Sequence, residues 1–164
     1  MPIPPGVFVN AVGSYYQRLN SRADAAGAVL AVHAEVVDTL AIRSALGEAT
    51  DYYSICALVQ ALGRLPETGP FPELDQVYVR SAYSYARARA VEAMAATDPA
   101  FDEKWATECL WDCEESARTL GAECAPATAF VAARLDEMAA DIHEIPEVRE
   151  ASRLRLGRES RSTK

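Results

Sequence analysis

The sequence lacks the features that would assign it to several large classes of protein. No apolar run reaches the roughly 18 to 20 residues that a membrane-spanning helix needs. The opening residues MPIPPG contain no basic segment followed by an apolar core, so we expect no secretory signal. These two absences predict a cytoplasmic protein that does not contact a membrane.

Cysteine, histidine and clustered glycine are also scarce. Four cysteines in 164 residues are too few for a disulfide scaffold, and the chain has only two histidines. The eight glycines are scattered, so no glycine-rich loop is available to bind a phosphate. No serine lies in the Gly-x-Ser-x-Gly context that surrounds the nucleophile of many hydrolases. The sequence therefore offers no catalytic motif of high specificity, and no cofactor is predicted.

Strand patterns are absent too, because no stretch alternates polar and apolar residues as a half-buried strand does. The chain is instead rich in alanine, and its apolar side chains recur at steps of three and four residues. Both features favour helices. We predict an all-α, single-domain bundle of about six helices, mostly antiparallel, over residues 1–146. The predicted helices span 7–22, 25–46, 51–65, 73–96, 98–121 and 126–142. A proline-rich loop at 66–72 separates the two halves.

The formal charge of −8 is distributed unevenly along the chain. Residues 1–146 hold 21 acidic and 10 basic side chains, whereas residues 147–164 hold 3 acidic and 6 basic side chains. This basic end has few apolar side chains that could be buried, so we expect it to be mobile. Nucleic acid would be repelled by the body and could contact only the arginines of the tail, which are Arg153, Arg155, Arg158 and Arg161.

The stretch 98–121 is the most informative part of the sequence for predicting a helix and a functional surface. Asp98 followed by Pro99 predicts a helix start, and Gly121 predicts its end. One stripe of this helix is apolar and should be buried; it consists of Ala106, Leu110, Cys113, Ala117 and Leu120. The remaining circumference is rich in acidic side chains and includes both tryptophans of the chain.

This acidic face is the first candidate site. Residues 98–144 hold 12 acidic and 3 basic side chains, with aromatic rings available as anchors. We expect a partner-binding surface formed by Trp105, Trp111, Glu108, Asp112 and Glu115. The predicted function is a non-catalytic protein that binds a protein partner, with a basic partner as one option, as a regulatory, inhibitor or immunity-type subunit. A homo-oligomer would use the same kind of surface.

The helix predicted over 73–96 supplies a second candidate surface. Arg80, Tyr83 and Arg87 fall on one face and could hold an anion or the acidic side chains of a partner. Pairing of these arginines with carboxylates of the segment 98–121 is the alternative interpretation.

A small enzyme or metal carrier is the alternative function. Cys109 and Cys113 are one helical turn apart, and Cys124 with His33 or His143 would complete four ligands. The competing interpretation is that the cysteines are core thiols and that His33 is buried with a hydrogen bond. The preference for arginine over lysine and the high alanine content suggest a bacterial source.

Overall fold

Helices form the described part of the chain, which comprises residues 23–65 and 69–162 of a computed structural model, and no strand occurs within these ranges. The all-α prediction is therefore confirmed. The helix predicted over 7–22 lies outside the described residues, as do residues 66–68. The chain divides into two compact units, Met1–Asp98 and Pro99–Lys164. This boundary differs from the division expected at the proline-rich loop.

The first unit contains five described α-helices and one short 3₁₀ helix, Val36–Asp38. The α-helices are α1 (Ala23–His33), α2 (Thr39–Glu48), α3 (Tyr52–Gly63), α4 (Pro72–Arg80) and α5 (Ser84–Thr97). Helix α3 is central, because it packs against α1, α2 and α5. Its Leu58, Val59 and Leu62 side chains are completely buried. An aspartate directly before an apolar run predicts an N-cap. Asp51 caps this helix accordingly, since its carboxylate accepts a hydrogen bond of 2.8 Å from the Ser54 N–H.

The second unit contains two short helices followed by three longer ones. They are α6 (Phe101–Lys104), α7 (Ala106–Cys109), α8 (Glu115–Cys124), α9 (Ala129–Ala140) and α10 (Pro146–Ser162). Helix α10 packs against α8 and α9, and α7 packs against α8. The core of the unit includes the fully buried side chains Leu110, Leu135 and Val148.

Helix α10 replaces the mobile basic tail that we expected from residue 147 onward. Val148, Ala151 and Ser152 are buried in it. Arg155 donates a hydrogen bond of 2.6 Å to the Ala125 carbonyl at the end of α8, and Arg153 donates one of 3.0 Å to the Ala139 carbonyl in α9. Guanidinium groups favour the carbonyl ends of helices, so these arginines help to fix the packing of α10.

The described part contains ten α-helices because three of the predicted helices are interrupted and α10 was not among the predicted helices. The helix predicted over 25–46 ends at His33 and restarts at Thr39. Between them, the Glu35 N–H donates a hydrogen bond of 3.0 Å to the buried Asp38 carboxylate. An aspartate that bonds the nearby backbone in this way competes with the helical hydrogen bonds, which explains the break.

The helix predicted over 73–96 is interrupted in the same manner. Helix α4 ends at Arg80 and α5 begins at Ser84. The Ser81 hydroxyl accepts a hydrogen bond of 3.2 Å from the Tyr83 N–H, which stabilises the turn between the two helices. Arg80 and Arg87 therefore do not share one helix face, contrary to the prediction.

The stretch 98–121 forms three helices rather than one. Helix α6 begins at Phe101, and a turn at 110–114 separates α7 from α8. The Asp112 carboxylate accepts a hydrogen bond of 2.9 Å from the Glu114 N–H within this turn. Gly121 does not end the helix as predicted, because it lies inside α8. A Cβ atom at Gly121 would lie 2.9 Å from the Ala106 carbonyl oxygen and 3.0 Å from the Leu110 nitrogen. The glycine thus permits close contact between α7 and α8.

Replacement of this glycine tests the contact. We expect Gly121→Ala to lower the free energy of unfolding by about 1–3 kcal/mol, because backbone atoms must move to admit the methyl group. Gly157→Ala is the matched control: Gly157 is an exposed residue of α10, and a Cβ atom added there would meet no atom within 4 Å beyond the adjacent residues and the local backbone of its own helix. That substitution should raise stability by up to about 1 kcal/mol through helix propensity alone. Urea unfolding measures both, and equal effects would contradict the close contact.

Candidate functional site

Two stacked aromatic rings lie on the surface of the second unit. Trp111 is 48% exposed and Phe130 is 64% exposed. Their ring centroids are 5.3 Å apart and their planes differ by 22°, so the rings stack. Arg134 lies over the Trp111 ring with its Cζ atom 5.4 Å from the centroid. We call these three residues the Trp111 surface.

The position of Trp111 is determined by hydrogen bonds to the carbonyl groups on either side of it. Arg134 donates to the Leu110 carbonyl through Nε at 3.3 Å and Nη2 at 3.2 Å. Arg118 donates to the Asp112 carbonyl through Nη1 at 2.8 Å. These two arginines hold the turn in place, so the indole is presented on an ordered backbone.

Arg118 is in turn held by Glu144. The pair is bidentate, with Nε to Oε2 at 2.8 Å and Nη2 to Oε1 at 2.7 Å. The two side chains are only 14% and 11% exposed. Burial by itself would raise the pKa of Glu144, but the hydrogen bonds from Arg118 and from the Ile145 N–H outweigh it, so this pKa lies below its ordinary value. The carboxylate therefore stays ionised and paired to a lower pH than an isolated glutamate would.

Acidic side chains accompany Trp111 in sequence and are accessible to solvent. Residues 105–115 contain four acidic side chains and no basic one. Glu108 and Glu115 are exposed, and Asp112 is half-buried. Trp105, which we expected to share the surface, is half-buried between α6 and α7 in the chain. Trp111 is the more accessible of the two tryptophans.

Phe130 and Arg134 were not among the residues predicted to form the partner-binding surface. In the helix predicted over 126–142, the sequence pattern assigns Phe130 and Ile142 to the inward stripe together with Leu135 and Met138. In the structure, however, Phe130 is 64% and Ile142 is 77% exposed. Helix α9 begins only at Ala129, where the Thr128 hydroxyl accepts a hydrogen bond of 3.2 Å from the Val131 N–H. Residues 130 and 134 are spaced i, i+4, which puts a ring and a guanidinium on the same helix face. This i, i+4 spacing was the signal in the sequence that could have identified the two residues as part of one surface.

The cysteines and histidines do not form a cluster. Cys109 is buried and Cys124 is half-buried, but Cys113 is exposed, contrary to its predicted place in the apolar stripe. His33 is exposed rather than buried, and His143 is exposed as well. Across residues 23–65 and 69–162, no group of three or more histidine, cysteine, aspartate or glutamate side chains is arranged to hold a metal ion.

The second predicted surface lies in the first unit. Arg80 is the last residue of α4 and is exposed. The Tyr83 ring packs on the Tyr52 ring with centroids 4.9 Å apart. Arg87 donates a hydrogen bond of 3.3 Å to the Ser81 carbonyl. These residues surround the turn between α4 and α5 instead of forming one helical stripe.

Comparison with known proteins adds no functional assignment. No protein-family model, curated protein or solved structure matches this chain. Within the described ranges, no helix has the length and apolar character required to cross a membrane. The chemistry of the two surfaces is therefore the basis for a functional proposal.

The Arg118–Glu144 pair predicts a specific dependence of stability on pH. Because the pKa of Glu144 is lowered on folding, its stabilising effect is complete above the unfolded-state value of about 4.3 and is lost as the pH falls through the folded-state value. We expect Glu144→Gln to lower the free energy of unfolding at pH 7 by about 3 kcal/mol, the order observed when one partner of a mostly buried pair is removed. The difference from the wild type should shrink as the pH approaches 3.

The matched control is Glu150→Gln. Glu150 lies 3.9 Å from Arg153 and its side chain is 62% exposed, so its loss should change stability by less than about 0.5 kcal/mol. Urea unfolding at pH 7, 5 and 3 measures both variants. A Glu144→Gln variant with a constant deficit at all three values would contradict the assigned role of the carboxylate.

Proposed function

We propose that this chain is a non-catalytic protein that binds a basic protein partner through the Trp111 surface and the acidic side chains next to it. The observation that carries the proposal is the exposed stacking of Trp111 on Phe130, with Arg134 over the indole. Tryptophan and arginine are the residue types most enriched among the side chains that dominate binding energies. A regulatory, inhibitor or immunity-type subunit would use such a surface.

Preorganisation supports this role. A partner that binds a flexible aromatic side chain must order it, at a cost of about 0.5–1.5 kcal/mol per side chain. Here the carbonyl groups before and after Trp111 already accept hydrogen bonds from Arg134 and Arg118. The ring also packs against Phe130, so little conformational freedom remains to be lost on binding.

Charge indicates the kind of partner. Glu108 and Glu115 are exposed, and residues 105–115 contribute no positive side chain. The two nearby arginines are already paired, Arg118 with Glu144 and Arg134 with Glu137. The net field is negative, which attracts a basic surface and accelerates its association. A second copy of the chain meeting this surface symmetrically would bring like charges together, so a basic partner is favoured over a homo-oligomer.

The alternative function, a small enzyme or metal carrier, has weaker support. It requires Cys109, Cys113 and Cys124 to act together with a histidine. In the described residues Cys109 is buried whereas Cys113 is exposed, and the metal-ligating side chains form no group of three. No geometric observation favours this alternative.

Substitution of Trp111 tests the proposal. Proteins captured from a lysate of the source cells by the tagged full-length chain would be identified by mass spectrometry and titrated as purified partners. We expect Trp111→Ala to weaken binding of the partner by about 30-fold or more, the loss typical of a dominant interface residue. Glu108→Lys should weaken binding of the partner more at low salt than at high salt. Salt screens the attraction between charges, and the Debye length is roughly 10 Å at 0.1 M ionic strength.

The matched control is Ile142→Ala, which removes an exposed apolar side chain from the same unit. Its affinity for the partner should equal that of the wild type. A partner that binds Trp111→Ala as tightly as the wild type would contradict the proposal, and so would equal losses for Trp111→Ala and Ile142→Ala.

A further inference from the structure

A cleft of about 390 Å³ lies in the first unit between α4 and the connection from α2 to α3. This volume is within the range of about 300–1,000 Å³ that small-molecule sites occupy. One wall is a single stripe of α4 with residues at i, i+3, i+4 and i+7. These residues are Glu73, Gln76, Val77 and Arg80.

The opposite wall is apolar and aromatic. Tyr52 and Ile55, from the first turn of α3, line the cleft across from α4. The Tyr52 ring is supported from behind by Tyr83, at 4.9 Å between centroids. Arg43 of α2 bridges to Glu73 of α4 with hydrogen bonds of 2.9 and 2.8 Å, which ties α2 to α4. The cleft is thus formed before any ligand arrives.

The two charged residues that line the cleft, Glu73 and Arg80, differ in their availability to a ligand. Both hydrogen bonds from Arg43 go to Glu73 Oε1, and the other oxygen, Oε2, is closed off from solvent. Burial acts to raise the pKa of Glu73, but the bond from Arg43 outweighs it and holds that pKa below its ordinary value. The Glu73 charge is therefore neutralised by Arg43 and is not offered to a ligand.

Arg80 is the charge that a ligand would meet. It is exposed at the end of α4, and within residues 23–65 and 69–162 it forms no ion pair with any carboxylate. A guanidinium binds a carboxylate through two parallel hydrogen bonds, which is stronger and more directional than a contact with a neutral group. Residues 73 and 80 are about 10 Å apart along the helix axis, from the rise of 1.5 Å per residue.

We propose that this cleft binds a small organic anion, specifically a carboxylate attached to an aromatic or compact apolar body. The carboxylate pairs with Arg80, and the body packs on Val77, Ile55 and Tyr52. The Gln76 amide lies beside the body and can bond a polar substituent. The site belongs to a different unit from the Trp111 surface, and it would add ligand binding to a protein-binding function.

The test is an NMR titration of the full-length, ¹⁵N-labelled protein with 2-naphthoate as the probe. We expect saturable shifts of the amide signals of residues 76–82 with a Kd of about 1 mM or tighter, from the binding energy that a ligand of this size can supply. The amine of the same shape, 2-naphthylmethylamine, should produce no saturable shifts there. Binding of the amine equal to or tighter than that of the acid would overturn the assigned ligand class.

Two variants and a control locate the site. Arg80→Gln should weaken naphthoate binding at least tenfold, and Gln76→Trp should abolish it by filling the cleft from an exposed position. Arg64→Gln removes an exposed arginine at the C-terminal cap of α3 and should leave the Kd unchanged. Thermal unfolding checks that each variant is folded. Absence of binding up to 10 mM, an unchanged Kd in Arg80→Gln, or shifts confined to residues of the other unit would each overturn the proposal.

Discussion

The ion pair between Arg118 and Glu144 determines the geometry of the second unit. Its guanidinium uses Nε and Nη2 for the carboxylate and Nη1 for the Asp112 carbonyl, so a single side chain connects α8, the turn at 110–114 and the segment before α10. Buried charges are costly unless their hydrogen bonds are satisfied, and this arrangement gives Arg118 a partner at three of its nitrogen atoms. Exposure of Trp111 at the surface follows from the turn that this pair holds.

The helical class could be predicted from the sequence, but the interruptions could not. Periodicity locates apolar stripes, and the Asp51 cap followed from its position before an apolar run. The breaks at Asp38, Ser81 and Asp112 depend on short bonds between a side chain and the neighbouring backbone. Such residues occur inside helices as well as between them, and the choice depends on tertiary packing that a single sequence does not contain. The close contact at Gly121 also depends on tertiary packing, because the atoms that approach it belong to α7 and the residue after it rather than to α8.

The candidate site was predicted in part. The outward position of Glu108 and Glu115 followed from charge alone. Phe130 was assigned inward, but the buried stripe of α9 begins one residue later, at Val131, and continues through Leu135 and Met138. Cys113 was assigned inward because a single helix was predicted over 98–121, whereas it lies in the turn between α7 and α8. The packing of α10 was missed for a related reason. Arg153 and Arg155 stabilise it by donating to carbonyl groups at the ends of other helices, and those acceptors are known only once the helices have been placed.

Both tryptophans of the chain belong to Pro99–Lys164, and Met1–Asp98 has none. Intrinsic tryptophan emission is therefore a spectroscopic label for one unit only, whereas far-ultraviolet circular dichroism records the helices of both. If the units differ in stability, the two signals will change at different denaturant concentrations, and a two-state fit to the tryptophan signal would describe only one unit. The distribution of indole rings thus allows the unfolding of one unit to be distinguished from that of the whole chain without any added dye.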